Sequence, residues 1–105
     1  MITESTAVGR DTYQRLAETF GALADPTRAR IVHLLLGQER CTTDLAPTVG
    51  VSEPAVSQHL RLLRRLGLVA SRREGRYVYY RLDDDHVAQL VRTSLEHLAE
   101  GRGDG

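Results

Sequence analysis

The sequence predicts a mainly α-helical single domain with one small β-hairpin. Apolar residues recur at helical spacing along most of its 105 residues. Between residues 68 and 82 the period shifts from about 3.6 to 2 around a glycine. The stretch from Thr42 to Leu66 reads as a short helix, a turn at Thr48–Val51 and a second helix with one apolar side. A helix-turn-helix followed at once by a hairpin is the element order of a winged helix-turn-helix.

In chain order, Asp11 or Thr12 can cap a first helix carrying Tyr13, Leu16, Ala17, Phe20 and Leu23. Asp25-Pro26 restarts a helix, an N-cap followed by proline at the first helical position. That helix runs through Ile31, Val32, Leu34 and Leu35 to Gly37, with His33 expected as a packing residue. A third helix, about Thr43–Val49, should be short or bent, because Pro47 removes a backbone bond. Ser52 then caps the second helix of the pair, and Pro54 falls in its first turn. Val56, Leu60 and Leu63, flanked by Leu62 and Leu66, form its buried stripe. Residues 68–73 and 76–82 read as strands around Glu74-Gly75. On the second strand Val78, Tyr80 and Leu82 are expected on one side and Arg76, Tyr77 and Arg81 on the other. A last helix starts in Asp83-Asp84-Asp85, acids at the positive end of its dipole. It continues to about Glu100 with Val87, Leu90, Val91, Leu95 and Leu98 apolar. Residues 1–10 and 101–105 read as flexible tails of the 1–105 domain. Apolar stripes on both terminal helices exceed what a small domain buries alone and point to a homodimer through them.

Formal net charge is zero, yet the charge is segregated. Residues 59–81 hold seven arginines and one glutamate; residues 82–105 hold six acids and two arginines. The local field of the first segment suits phosphate. On the second helix of the pair Ser57, Gln58 and Arg61 can read base edges and Arg64 and Arg65 meet phosphates, with Ser52 and His59 also expected on the DNA-binding surface. Arg72, Arg73 and Arg76 surround the hairpin tip, placed for phosphate or minor-groove contact. Double-stranded DNA is therefore the expected partner. No apolar run approaches the ~20 residues of a membrane span, and no basic-then-apolar leader is visible. The lone Cys41 excludes an internal disulfide and fits a reducing cytoplasm. It also offers one sulfur and no second thiolate, so it reads as a small buried hydrophobe. No nucleophile–base, phosphate-loop or zinc-hydrolase pattern is present, so no catalytic residue is assigned.

One spacing remains: Asp84-x-His86, ten residues, then His97-x-x-Glu100. Eleven helical residues turn about 1100°, close to three full turns, so the two histidines share a face. They are also about 16 Å apart along the axis, far beyond one metal's ~2 Å bonds. One helix cannot close such a site; two antiparallel copies can. The alternative is a solvated helix with Asp84 as an ordinary N-cap.

Asp25-Pro26-Thr27-Arg28, Val51-Ser52 with Val56-Ser57-Gln58-His59-Leu60, Leu66-Gly67-Leu68-Val69 and Gly75-Arg76 with Tyr79-Tyr80 resemble the ArsR/SmtB family of metal-responsive repressors. The resemblance covers about residues 12–100. It implies a prokaryotic homodimer that binds a palindromic operator without metal and releases it when metal binds. Asp84, His86, His97 and Glu100 match that family's C-terminal-helix metal site, used by zinc sensors, which implies Zn(II) as effector with Co(II) as an equivalent. The family's other site needs Cys-x-Cys where this chain has Cys41 and Thr43, so a thiolate site for arsenic, cadmium or lead lacks its second sulfur. By the same resemblance the regulated genes are those of zinc efflux or sequestration. Two readings compete: a winged-helix regulator answering a redox or other small-molecule signal, and, far behind, a metal-dependent hydrolase.

Overall fold

The computed structural model describes residues 9–102. Residues 1–8 and 103–105, most of the two expected tails, lie outside the described residues. Five helices and three short strands follow one another as α1 (Arg10–Leu23), α2 (Pro26–Leu34), β1 (Arg40–Cys41), α3 (Thr42–Val49), α4 (Glu53–Arg65), β2 (Val69–Glu74), β3 (Tyr77–Leu82) and α5 (Asp85–Arg102). The architecture is a winged helix-turn-helix, with α3 and α4 as the helical pair and β2–β3 as the wing.

The core forms where α2, α3 and α4 converge. Ile31 and Val32 of α2, Leu45 of α3 and Val56, Leu60 and Leu63 of α4 are fully enclosed, and Leu68, Val69 and Tyr80 close the cluster from the sheet. The α4 residues recur at i, i+4 and i+7, so a single stripe enters the core and the opposite side stays wet. Between α3 and α4 the chain reverses at Gly50, whose φ of 83° is left-handed. Its N–H donates to the Ala46 carbonyl at 2.8 Å, closing the helix end. Glycine occupies this conformation without the Cβ clash any other residue would meet.

Several boundaries differ from the sequence expectation, each for a local reason. Helix α1 starts at Arg10 with Gly9 at its N-cap; Asp11 lies in the first turn instead of capping it. Asp25 caps α2 as expected, accepting the Arg28 N–H at 3.0 Å, but the helix ends at Leu34 rather than Gly37. His33 is exposed rather than packed. Pro47 is accommodated inside an eight-residue α3 because both it and Thr43, the residue four earlier, are exposed, leaving water free to serve that carbonyl. The hairpin loop is Gly75-Arg76, one residue later than expected, since Glu74 pairs directly with Tyr77. Gly75 has φ 65° and Arg76 a negative φ, the sign pattern of a type II′ turn. Arg76 therefore belongs to the loop, and strand alternation does not apply to it.

Strand β1 has no signal in the sequence. It adds two residues to the free edge of the wing, giving the order β1-β3-β2, all antiparallel. Cys41 pairs with Tyr79 and is also the N-cap residue of α3. Helix α5 begins after Asp84, whose Oδ1 accepts the Val87 N–H at 3.0 Å. Tyr13, Leu16 and Phe20 of α1 and Leu95 and Leu98 of α5 remain exposed in the single chain.

Leu60 belongs to the core cluster and has no accessible surface. Leu60→Ala is expected to lower unfolding free energy by about 2–5 kcal/mol in urea titration, and to leave the helical circular dichroism of the native state intact.

Candidate nucleic-acid interface and metal-ligating residues

The outward side of α4 carries Gln58, Arg61 and Arg65 at i, i+3 and i+7, all exposed, with exposed Arg64 and half-buried Ser57 beside them. Ser52 is spent as a cap, its Oγ accepting the Ala55 N–H at 3.2 Å. Ser57 and Arg76 line one cleft between α4 and the wing tip, together with Glu53 and Tyr77. Helix and wing thus present a continuous surface. Exposed Arg61, Arg64, Arg65, Arg73 and Arg76 have no carboxylate within 4.0 Å among the described residues.

Two residues expected on this surface are engaged elsewhere. His59 is half-buried and turned toward α2, its Nδ1 3.3 Å from Arg28 Nη1. Arg28 also donates from Nε to the Ala22 carbonyl at 2.8 Å. It thereby joins the end of α1, the start of α2 and the middle of α4. Arg72 is the second. Its guanidinium bonds Glu39 through Nε and Nη2 and Glu74 through Nη1, and it lies over the Tyr79 ring at 4.9 Å. Neither partner was legible in the sequence: Glu39 is 33 residues from Arg72 and Arg28 is 31 from His59.

The four metal-type residues fall into two pairs. Asp84 and His86 lie at the start of α5, with Asp84 Oδ2 3.7 Å from His86 Nδ1 and the imidazole almost fully exposed. His97 and Glu100 are exposed near its other end. Both histidines lie by helical spacing on one border of the apolar stripe, beside Leu90. Among the described residues of one chain, no three His, Cys, Asp or Glu side chains gather as a metal cluster. Oδ1 of Asp84 caps α5 while Oδ2 and the adjacent imidazole keep lone pairs to offer, so each pair fits half of an N/O donor set. The bond from the Val87 N–H lowers the Asp84 carboxyl, keeping it ionised as a ligand must be. Cys41 is buried, with Sγ 2.9 Å from Thr43 Oγ1 and 3.3 Å from Asp44 Oδ2, and the sequence holds no second cysteine.

A helix-turn-helix whose second helix exposes unpaired arginines beside a basic wing defines a DNA-binding regulator. Residues 25–71 match the bacterial regulatory protein, arsR family. The transcriptional repressor SmtB homolog of Synechocystis is 52% identical over 90 residues, covering 86% of this chain and 68% of that protein. The cadmium resistance transcriptional regulatory protein CadC homolog of Staphylococcus aureus is 45% identical, covering 81% and 71%. The homodimeric winged helix-turn-helix DNA-binding domain Mb0332 of Mycobacterium bovis superposes with a TM-score of 0.78 at 31% identity, covering 94% of this chain and 93% of that one. The chain belongs to the ArsR/SmtB family of bacterial transcriptional repressors, which are regulators and not enzymes.

Asp25 gives a pH test of how this scaffold is held. The Arg28 N–H, helped by the Arg28 and His59 charges, holds its carboxyl below the ordinary value of 3.8. A depressed carboxylate stabilises above its unfolded pKa and loses that contribution as pH falls through the folded one. Protection of the Arg28 amide against hydrogen exchange should therefore persist down to the ordinary carboxylate range and vanish only below it. In Asp25→Ala the protection should already be reduced at neutral pH, where the wild-type carboxylate is ionised.

Proposed function

We propose that this repressor senses Zn(II), with Co(II) as an equivalent ligand, at two identical sites built across a homodimer. Each site takes Asp84 and His86 from one protomer and His97 and Glu100 from its partner. The observation that carries the reading is the placement of two N/O donor pairs at opposite ends of one exposed helix. In an antiparallel helix pair, facing residues share a constant index sum. His86 with His97 gives 183 and Asp84 with Glu100 gives 184, so one register serves both pairs about a dyad at Val91–Arg92. The same pairing would cover Leu95 and Leu98, apolar and exposed in the single chain. Two imidazoles and two carboxylates suit a closed tetrahedral Zn(II) or Co(II) site. The name of the S. aureus relative ties that protein to cadmium resistance, which supports a metal as the class of signal.

The metal-free dimer binds operator DNA through Ser57, Gln58 and Arg61 in the major groove, with Arg64 and Arg65 on phosphates and Arg73 and Arg76 of the wing on phosphate or minor groove. Metal occupancy lowers affinity for the operator, and DNA must weaken metal binding by the same factor. No helix of the described residues is long and apolar enough to cross a membrane, and we place the protein in the cytoplasm.

Mixed dimers test the site. A His86→Ala chain combined with a His97→Ala chain leaves one site without histidines and the other complete, so one tight zinc per heterodimer should return. If each chain binds metal alone, both sites stay broken and none returns.

Operator contact is tested by a contrast of two variants. Gln58→Ala should cost about 1–3 kcal/mol on the preferred sequence and relax the preference. Arg73→Gln should weaken all sequences alike and flatten the salt dependence. An unchanged ratio of operator to random-DNA affinity in Gln58→Ala would remove that residue from the reading face.

A further inference from the structure

We propose that Arg72 is a positioning residue that laces the wing to the strand starting the helix-turn-helix, and so sets the wing's angle to DNA without touching it.

The placement follows from strand order. Arg72 on β2 stands opposite Tyr79 on the central β3, and Tyr79 stands opposite Cys41 on β1. Two strand spacings, roughly 10 Å, separate β2 from β1. The Arg72 side chain crosses that span: it stacks on the Tyr79 ring and ends on both carboxylate oxygens of Glu39, the residue before β1, at 2.8 and 2.9 Å. Arg40, the next residue, donates from Nε to the Leu34 carbonyl at 2.8 Å. The Glu39–Arg40 segment is thus held on one side to α2 and on the other to the wing.

That segment has little else to hold it. Strand β1 is two residues long, and its second residue is the N-cap residue of α3. Whatever fixes β1 against β3 therefore fixes where the helical pair begins relative to the hairpin. Exposed ion pairs contribute little individually, but a forked, stacked guanidinium restricts direction as well as distance.

The charge balance argues against a phosphate contact. Nε, Nη1 and Nη2 each donate to a carboxylate, and the group of Arg72, Glu39 and Glu74 carries a net charge of −1. Arg73 and Arg76, exposed and without such partners, carry the wing's positive field.

The inference rests on α4 and the wing forming the DNA face, and the test separates the two. The homodimer selects a duplex from a randomised pool, and its affinity for that duplex is measured by fluorescence anisotropy over a range of salt. Glu39→Gln is decisive because the two roles predict opposite signs. If Arg72 were a phosphate contact restrained by Glu39, removing the acid would tighten binding and steepen the salt dependence. A positioning role predicts roughly three- to tenfold weaker binding with an unchanged salt slope, although the protein has lost a negative charge. Arg72→Gln should match it, and the Arg72 Nε–H resonance should lose its protection in Glu39→Gln. The exchange Arg72→Glu with Glu39→Arg should recover most of what Arg72→Glu alone loses. Glu39→Gln binding as well as or better than wild type, or Arg72→Gln lowering the salt slope as Arg73→Gln does, overturns the proposal. If Arg73→Gln and Gln58→Ala are themselves without effect, the DNA-face reading fails instead.

Discussion

Everything in this fold depends on α4 having one dry side and one wet side. Val56, Leu60 and Leu63 have no contact with solvent, while Gln58, Arg61 and Arg65 on the same helix are exposed. A helix anchored by three fully buried side chains cannot roll without exposing them, so the arginine side is held out by the same packing that stabilises the core. Arg28 adds a polar restraint from the other direction, joining α1, the start of α2 and His59 on α4. Its cost would be an uncompensated charge if its acceptors were absent. The exposed arginine side of α4 is therefore presented by a rigid body.

Strand β3 ties that body to the rest. It pairs with β1 on one side and β2 on the other, and its end leads within three residues into α5. The Asp83 N–H continues the sheet, donating to the Leu68 carbonyl at 3.0 Å just beyond the end of α4. Asp84 follows, already committed through Oδ1 to the start of α5. A ligand acting on Asp84 and His86 would thus act beside both the wing strand and the recognition-helix end. Coupling between the proposed α5 site and the DNA face would have a short covalent and hydrogen-bonded path.

Two features of the single chain bear on the proposed site. Its two donor pairs are separated by the length of α5, and apolar side chains of α1 and α5 remain exposed. In the proposed dimer, an antiparallel α5 pair would bring opposite ends together and cover the apolar stripe that both histidines border.

Local chemistry in the sequence was enough to determine the order of the five helices and the hairpin, the caps Asp25 and Ser52, the apolar stripe of α4, and the glycine in the hairpin loop. These are decided within a few residues of one another, where periodicity and hydrogen-bonding preference act directly. The metal-type residues were legible for the same reason, since two pairs on one helix declare their spacing. Only tertiary structure decided what happens between distant residues. It added β1, whose two residues have no period to show. It exposed His33, set His59 beside Arg28 and paired Arg72 with Glu39 and Glu74. A lone arginine in sequence is a free cation; whether it meets a phosphate or a carboxylate depends on what the fold brings beside it, here Glu39 from 33 residues away.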